Sequence, residues 1–302
     1  MITCSAGLFS NCYRRNCVPE EPDVHQGAGN AHENARWSQV SLGDGIATYR
    51  LSAWAHFFDF LEEEVFQSAL TNKQVYIWRG QRRSDWSLSS SLDRFFEKIG
   101  IIQKAPDVLE TRSTEHLRSF KYAARGRRGP NPQTLEGEND WWALGQHYGL
   151  ATPLLDWTRS PFAAAYFAFE ENPTDQTATR VVYGLDQWAV MKRNVDIADL
   201  PSLEQGRVPI IEFIEPMSDE NQRLVNQGGL FTRAPIGTPI EQWVAHAFEG
   251  ISSPILMRIE IPNDDRLICL RTLDRMNINH LSLFPDLVGA SRSVNLKSEL
   301  GG

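Results

Sequence analysis

Cysteine, long apolar runs and excess positive charge are all scarce in this chain of 302 residues. Only four cysteines occur, and three of them cluster near the N-terminus, which excludes the paired framework of a small disulfide-rich secreted domain. The densest apolar stretch covers residues 162–169 and ends at Glu170, far short of the roughly 20 residues that a transmembrane helix needs. We therefore expect a protein with no membrane span and no membrane partner.

The charge balance is acidic, with 30 Lys and Arg against 38 Asp and Glu and a formal charge of −8. Overall attraction to nucleic acid or anionic lipid is thereby excluded, whereas a local basic patch can still bind phosphate. Lys121, Arg125, Arg127 and Arg128 form one such cluster, and the glycines between them and Pro130 after them predict an exposed loop. This loop is interpreted either as a solvated segment or as a contact surface for RNA or an acidic protein.

Residues 1–35 contain many Gly, Pro, Asn, Glu and His and show no apolar period, which predicts a flexible N-terminal arm. The start of the arm lacks the apolar core of a secretory signal, which favours the cytoplasm. Its cysteines and histidines are Cys4, Cys12, Cys17, His25 and His32. A zinc site made from them would have no CxxC pair, so a plain tail is favoured. We expect residues 36–302 to form a single domain.

Apolar spacing predicts helices and strands that alternate irregularly along the chain. The predicted strands cover 75–78, 152–158, 181–185, 208–214 and 256–261. Helices are predicted from Ser52 to Leu70, around 92–96, over 109–124, from 139 or 140 to 147, from Pro161 onward after a cap by Ser160, and over 221–225, 240–248 and 267–276. Because no regular βαβ period is present, we predict an α+β fold with a mixed, mainly antiparallel sheet and flanking helices.

Three parts of the sequence resemble the FRG domain family, which is named for an aromatic-Arg-Gly motif. The first part is WRGQRRSDWSLSSSLDR over residues 78–94, and the second is GQHYGLATPLLDWTRSPFAAAYFAF over 145–169. The third part combines NQRLVNQGGLFT over 221–232 with NHLSLFPDLVGAS over 279–291. Trp78 stands where the family usually has Phe or Tyr and keeps the aromatic character. The resemblance covers residues 75–294.

The order of these motifs also resembles the layout of ADP-ribosyltransferases, and on that layout Arg79 matches the arginine at a strand end. Thr158 and Ser160 match a hydroxyl motif, and Gln227 matches a late residue that is glutamate in most active members. The resemblance implies an ADP-ribosyltransferase-like fold and an NAD-consuming transferase or glycohydrolase. It also implies a role as a toxin or an anti-phage defence effector, with a protein or nucleic acid acceptor and an antitoxin or regulatory partner.

Cleavage of the bond between nicotinamide and ribose develops an oxocarbenium ion, so the enzyme must hold the dinucleotide rigidly. Arg79 suits phosphate or ribose through its planar fork, and Tyr148 or Trp157 would stack on nicotinamide. The candidate catalytic residues are Arg79, His147, Asp156, Thr158 and Gln227. The candidate NAD-binding residues are Arg79, Gly80, Gln81, Tyr148, Thr152, Trp157 and Ser160. Because Gln227 carries no charge, Asp156 or Asp286 would have to support the cation.

Two other interpretations remain open at this point. A non-catalytic module would use Arg79, His147 and Asp156 to bind a nucleotide or a phosphorylated partner without turnover. Arg79 and Asp156 would alternatively be a buried structural pair, because a carboxylate turned into an apolar strand needs a strong partner. No metal is expected, since His147 has no second histidine at ligand spacing.

Overall fold

The computed structural model describes residues 36–67, 75–132, 134–172, 178–199, 209–215 and 227–299. The predicted arm over residues 1–35 and the predicted helix over 221–225 lie outside this part of the chain. The end of the first predicted helix, including Leu70, lies outside it as well.

The described residues contribute eight strands to one sheet. The strands are β1 Trp37–Gly43, β2 Ile46–Leu51, β3 Tyr76–Gln81, β4 Leu154–Thr158, β5 Thr179–Asp186, β6 Glu212–Ile214, β7 Gly229–Arg233 and β8 Leu256–Pro262. Their order is β1-β2-β8-β5-β3-β4-β7-β6. The pair β2–β8 is parallel and the other neighbouring pairs are antiparallel. The prediction of a mixed, mainly antiparallel sheet is therefore confirmed.

Helices flank this sheet on both faces. They are α1 Phe57–Phe60, α2 Ser91–Lys98, α3 Pro106–Ala123, α4 Glu138–His147, α5 Pro161–Phe169, α6 Gln187–Ala198, α7 Ile240–Ala247, α8 Arg266–Arg275, α9 His280–Leu283 and α10 Leu287–Glu299. A 3₁₀ turn over Trp54–His56 precedes α1, and a π-helical stretch over Leu61–Phe66 follows it. The α+β class predicted from the irregular alternation of elements is confirmed.

Alternation along β3 divides the apolar core between the two faces of the sheet. Trp78 packs in one cluster with residues of α1, α5, α8 and α9. Its neighbour Ile77 points the other way and packs with residues of α6 and α7. A third cluster fills the space between α2, α3 and α4 and the strands β4, β6 and β7. This arrangement leaves the polar residues at the end of β3 between the covering helices.

Helix α5 begins where the sequence predicts. The Oγ of Ser160 accepts a hydrogen bond from the backbone N–H of Ala163 at 3.2 Å, and Pro161 occupies the first helical position. Such a cap satisfies one of the N–H groups that a helix start leaves without an internal partner. The cap therefore gives Ser160 a structural role.

Helix α5 lies directly on β3, and Gly80 permits this approach. A Cβ atom added at Gly80 would lie 1.8 Å from the carbonyl oxygen of Ala164 and 2.7 Å from the backbone nitrogen of Ala168. Real Cβ atoms do not approach backbone this closely, so only glycine fits. The missing side chain therefore serves the contact between helix and strand, which is a different task from the predicted accommodation of a ligand.

Two arginines hold the C-terminal end of α5. The buried guanidinium of Arg180 donates to the carbonyl oxygens of Ala168 and Glu171 at 2.7 and 3.1 Å. Arg266 donates to the two intervening carbonyl oxygens at 2.9 and 2.8 Å. These bonds satisfy the carbonyl groups that a helix end leaves without an internal partner. Burial lowers the pKa of Arg180 to about 10, so it stays protonated at neutral pH.

Strands β3 and β4 separate almost as soon as they meet. They share one register pair, Trp78 with Thr158, whereas β3 and β5 share a continuous register from Tyr76 to Gln81. Beyond that single pair, the guanidinium of Arg79 donates to the carbonyl oxygen of Asp156 at 2.7 Å. A side-chain hydrogen bond thus joins β3 and β4 where backbone hydrogen bonds would otherwise continue between them.

Some elements were not predicted from the sequence. The hairpin β1–β2 turns at Asp44 and Gly45, which have φ angles of 48° and 74°. Helices α6 and α10 were also missed, and each buries few residues in the core. A helix with little buried surface has no clear apolar period for a sequence pattern to detect.

Candidate functional site

An open cleft of about 540 Å³ lies beside the end of β3. Its walls come from the last residues of β3, the loop that follows, helix α2, and the C-terminal end of α5. The charged residues that line it are Arg79, Arg82, Asp85, Arg94, Glu97, Glu170 and Glu171. Gly80 and Gln81 also line it, so the predicted Arg-Gly-Gln triplet lies at this cleft.

Arg79 connects the cleft to β4. Besides its bond to the Asp156 carbonyl oxygen, its Nη1 lies 3.9 Å from the Asp156 carboxylate. Burial lowers the pKa of Arg79, and the nearby Asp156 carboxylate opposes that shift. The Nε of Arg79 is buried and has no hydrogen-bond partner among the described residues. Arg79 therefore retains donor capacity beyond its contact with Asp156.

Gln81 lies two residues further along β3, on the same face as Arg79. Its side-chain Nε2 donates to the carbonyl oxygen of Ser87 at 3.3 Å, which fixes the orientation of the amide. Its Oε1 is buried and, within the described part of the chain, has no donor. Within the described residues, the end of β3 thus carries one donor, on Arg79, and one acceptor, on Gln81, that have no hydrogen-bond partner.

Asp156 is held by a short polar network rather than buried in the strand. Its carboxylate accepts a hydrogen bond from Nε2 of Gln146 at 2.8 Å, and the side-chain oxygen of Gln146 accepts one from the hydroxyl of Thr152. The Asp156 side chain is 63% exposed. The alternative of a buried structural pair with Arg79 is therefore wrong, because the carboxylate points to solvent.

We expect Asp156→Asn to change the free energy of unfolding by less than about 1 kcal/mol, since exposed ion pairs contribute little. The amide keeps an oxygen that accepts from Gln146, so the local network persists. Urea denaturation of the parent and the variant measures the difference. A loss of several kcal/mol would contradict the exposed position of this side chain.

His147 and Tyr148 lie at the C-terminal end of α4, next to Gln146. Their rings meet edge to face with centroids 4.9 Å apart. Tyr148 is 73% exposed. Among the described residues that line the cleft, neither His147 nor Tyr148 is present, so their predicted roles in NAD binding or catalysis would require a ligand that extends past Asp156.

Thr158 and Gln227 contact each other at the end of β4. The hydroxyl of Thr158 donates to the carbonyl oxygen of Gln227 at 2.6 Å, and it accepts from the N–H of Ser160 at 3.1 Å. The side-chain amide of Gln227 donates to the carbonyl oxygen of Leu283 at 3.1 Å. These residues fasten α5 and α9 to β4, and they are not among the described residues of the cleft.

Trp157, predicted to stack on nicotinamide, belongs to the core. It is 3% exposed, and its indole N–H donates to the hydroxyl of Thr232 at 2.8 Å. Asp286, the predicted alternative carboxylate, accepts from the N–H of Gly289 at 2.9 Å near the start of α10. Packing accounts for Trp157 and capping accounts for Asp286.

Of the residues that line the cleft, the sequence predicted only Arg79, Gly80 and Gln81; the charged residues that it did not predict include Arg82, Arg94 and Glu170. Arg82 pairs with Glu171, and its guanidinium lies 4.9 Å from the centroid of the Trp86 ring. Arg94 donates to the carbonyl oxygen of Ser89 at 2.5 Å. Arg82 directly follows the Arg-Gly-Gln triplet in sequence, and this adjacency was the available signal.

Glu170 follows the last residue of α5 and is largely buried. Its carboxylate lies 3.6 Å from Nε2 of His280, whose Nδ1 is hydrogen-bonded to the hydroxyl of Tyr166. Burial raises the pKa of Glu170 to about 7, although Arg292 and Arg82 oppose the shift. Burial also lowers the pKa of His280. Near neutral pH the Glu170 carboxyl group is therefore present in both its protonated and its ionised form.

The described residues contain neither a metal-binding cluster nor a helix that could span a membrane. No group of three or more His, Cys, Asp or Glu side chains is arranged there to hold a metal ion. In the same part of the chain, every helix is too short or too polar to cross a bilayer.

The sequence model of the FRG domain matches residues 74–177. The chain therefore contains an FRG domain, as the aromatic-Arg-Gly motif predicted. This region includes β3, the cleft arginines, Gln146, Asp156 and Glu170, while Gln227 lies outside it. Comparison with curated proteins and with solved structures gave no match.

Proposed function

We propose that the cleft binds NAD and that the protein is an NAD-consuming ADP-ribosyltransferase or NAD glycohydrolase of FRG type. The observation that carries this proposal is the presence of three guanidinium groups and a buried carboxyl group in one cleft. Arginine forks bind phosphate through two parallel hydrogen bonds, and a carboxylate stabilises the positive charge that develops at the ribose. An ADP-ribosyltransferase-like fold and a role in toxin or anti-phage systems belong to the same proposal.

Within this proposal the roles differ from those predicted on sequence. Arg79 and Arg94 bind the diphosphate, because Arg82 is already paired with Glu171. Gln81 and the Nε of Arg79 supply an acceptor and a donor to the polar groups of the dinucleotide. Glu170 takes the place that the resemblance gave to Gln227, since it is the carboxyl group of the cleft with a raised pKa.

A second candidate is a recognition module that binds a nucleotide or a phosphorylated partner without turnover. The contact of the Gln227 amide with Leu283 favours it, because that residue is engaged in packing and carries no charge. Both candidates use the same arginines, so binding alone does not separate them. Incubation with NAD labelled in the nicotinamide ring does, since only the enzyme releases labelled nicotinamide.

We expect Arg79→Lys to weaken NAD binding by roughly tenfold to a hundredfold, because lysine keeps the charge but loses the planar fork. The loss of one charge-assisted hydrogen bond costs about 1.5 to 3 kcal/mol of binding free energy, which corresponds to this change in affinity. Calorimetric titration with NAD measures the change. Arg112→Lys is the matched control, since Arg112 is an exposed residue on α3 that pairs with Glu115. Equal affinities for the parent and Arg79→Lys would remove Arg79 from the NAD site.

A further inference from the structure

One stretch of this acidic chain contains basic residues and no acidic ones. Residues 116–135 contain Arg118, Lys121, Arg125, Arg127 and Arg128 and no Asp or Glu, in a protein whose net charge is −8. The stretch covers the second half of α3 and the loop that follows it. The positive charge is therefore concentrated on one part of the surface, formed by α3 and the loop after it.

Two aromatic rings lie among these cations. The guanidinium groups of Arg125 and Arg118 lie 4.7 and 5.8 Å from the centroid of the Tyr122 ring. On the first turn of α4, the Trp141 ring has Arg128 at 5.2 Å and the Lys121 ammonium at 5.5 Å from its centroid. We call this surface the basic face and define it as Arg118, Lys121, Tyr122, Arg125, Arg128 and Trp141.

The basic face has the composition that single-stranded nucleic acid requires. Cations along a surface bind the phosphate backbone, and aromatic rings accept bases by stacking, with little dependence on sequence. Tyr122 is 54% exposed, so its ring is available to a base. Arg127 donates to the carbonyl oxygens of Ala123 and Arg125 and so holds the loop in shape.

We propose that the basic face binds a single strand of nucleic acid. An acidic peptide would pair with the cations alone, whereas a single strand would use the cations for its phosphates and the exposed Tyr122 ring for a base, so the nucleic acid is the better fit. This inference does not depend on the proposed reaction with NAD. Helix α4 carries Trp141 of the basic face and, about 7.5 Å further along its axis at 1.5 Å per residue, Gln146, which contacts Asp156.

The test is fluorescence anisotropy of labelled 12-nucleotide oligo-dT and oligo-rU, titrated with the full chain at two salt concentrations. We expect binding to both strands, and the ratio of the two affinities shows whether DNA or RNA is preferred. Lys121→Ala/Arg125→Ala should weaken binding by about tenfold or more and reduce the salt slope by about 1.4, at 0.7 per phosphate contact on a single strand. Lys192→Ala/Arg275→Ala removes two exposed positive charges elsewhere and should leave binding unchanged.

The stacking ring is tested separately from the charges. Tyr122→Ala should weaken binding by roughly 5- to 150-fold, which corresponds to 1–3 kcal/mol per stacked base, whereas Tyr122→Phe should keep it. Thermal melts verify that each variant folds. The inference is overturned if the parent does not bind either strand, if both double variants behave alike, or if a labelled 12-residue poly-glutamate peptide binds as tightly as the oligonucleotides.

Discussion

Gly80→Ala is expected to destabilise the protein by roughly 3 to 5 kcal/mol, the upper range for a single overpacking substitution. The added methyl group would lie 1.8 Å from the carbonyl oxygen of Ala164 and 2.7 Å from the backbone nitrogen of Ala168. Neither backbone atom can rotate away. Helix α5 would have to move off β3, and the end of that helix supplies Glu170 and Glu171 to the cleft. Urea denaturation followed by circular dichroism measures the loss.

Gly43→Ala is the matched control for this substitution. Gly43 also lies in a strand, but no atom lies within 4 Å of its added Cβ. We expect this variant to change the free energy of unfolding by less than about 1 kcal/mol. If both alanine variants unfold at the same urea concentration as the parent, the close contact between α5 and β3 is wrong.

Glu170→Gln is expected to reduce nicotinamide release by roughly a hundredfold to a thousandfold while NAD binding is retained. The amide has nearly the same shape as the carboxyl group but cannot carry the negative charge that would stabilise the developing cation. Single-turnover release of labelled nicotinamide measures the effect. A variant that releases nicotinamide at the parent rate would remove Glu170 from the reaction.

The same substitution should make the protein more stable at high pH. Burial raises the pKa of Glu170 from 4.5 to about 7. Between these two pH values the carboxyl group is therefore protonated in the folded state and ionised in the unfolded state. Its contribution to stability is therefore present below about pH 4.5 and is lost as the pH rises through about 7. An uncharged glutamine removes that dependence, so at pH 8 the variant should gain up to about 3 kcal/mol.

Melting curves of the parent and Glu170→Gln at pH 5 and pH 8 measure this gain. If Glu170→Gln is more stable than the parent and yet inactive, unfolding cannot explain its loss of activity. If the melting temperatures of the two proteins differ by the same amount at both pH values, Glu170 does not titrate in this window.

Elements with strong periodicity could be predicted from sequence, and elements without it could not. Helix α5 was predicted because a Ser-Pro start precedes a continuous apolar run, and the structure confirms both the cap and the helix. The hairpin β1–β2 was missed although Asp44 and Gly45 form a known two-residue turn signal. Most residues of β1 are exposed, so the apolar alternation that would have supported this signal is weak.

For the candidate site, the motif predicted the residues at the end of β3 but not the other residues that line the cleft. Arg79 and Gln81 were predicted because they end a buried strand. Glu170 was not predicted, since its environment depends on a contact with His280, which is distant in sequence. Local sequence patterns do not contain such contacts, so the position of Glu170 in the cleft could not be predicted from them.

The parallel pairing of β2 with β8 has a consequence for the order of folding. Partners such as Arg50 and Glu260 are 210 residues apart in sequence, so the N-terminal hairpin cannot join the sheet until β8 has been synthesised. At about 5 to 20 residues per second, this delay lasts about 10 to 40 s on the ribosome. Contacts of such long range also slow folding after release. During that interval one edge of the hairpin lacks its neighbour, and nascent chains stalled before residue 256 should bind holdase chaperones more strongly than chains stalled after residue 299.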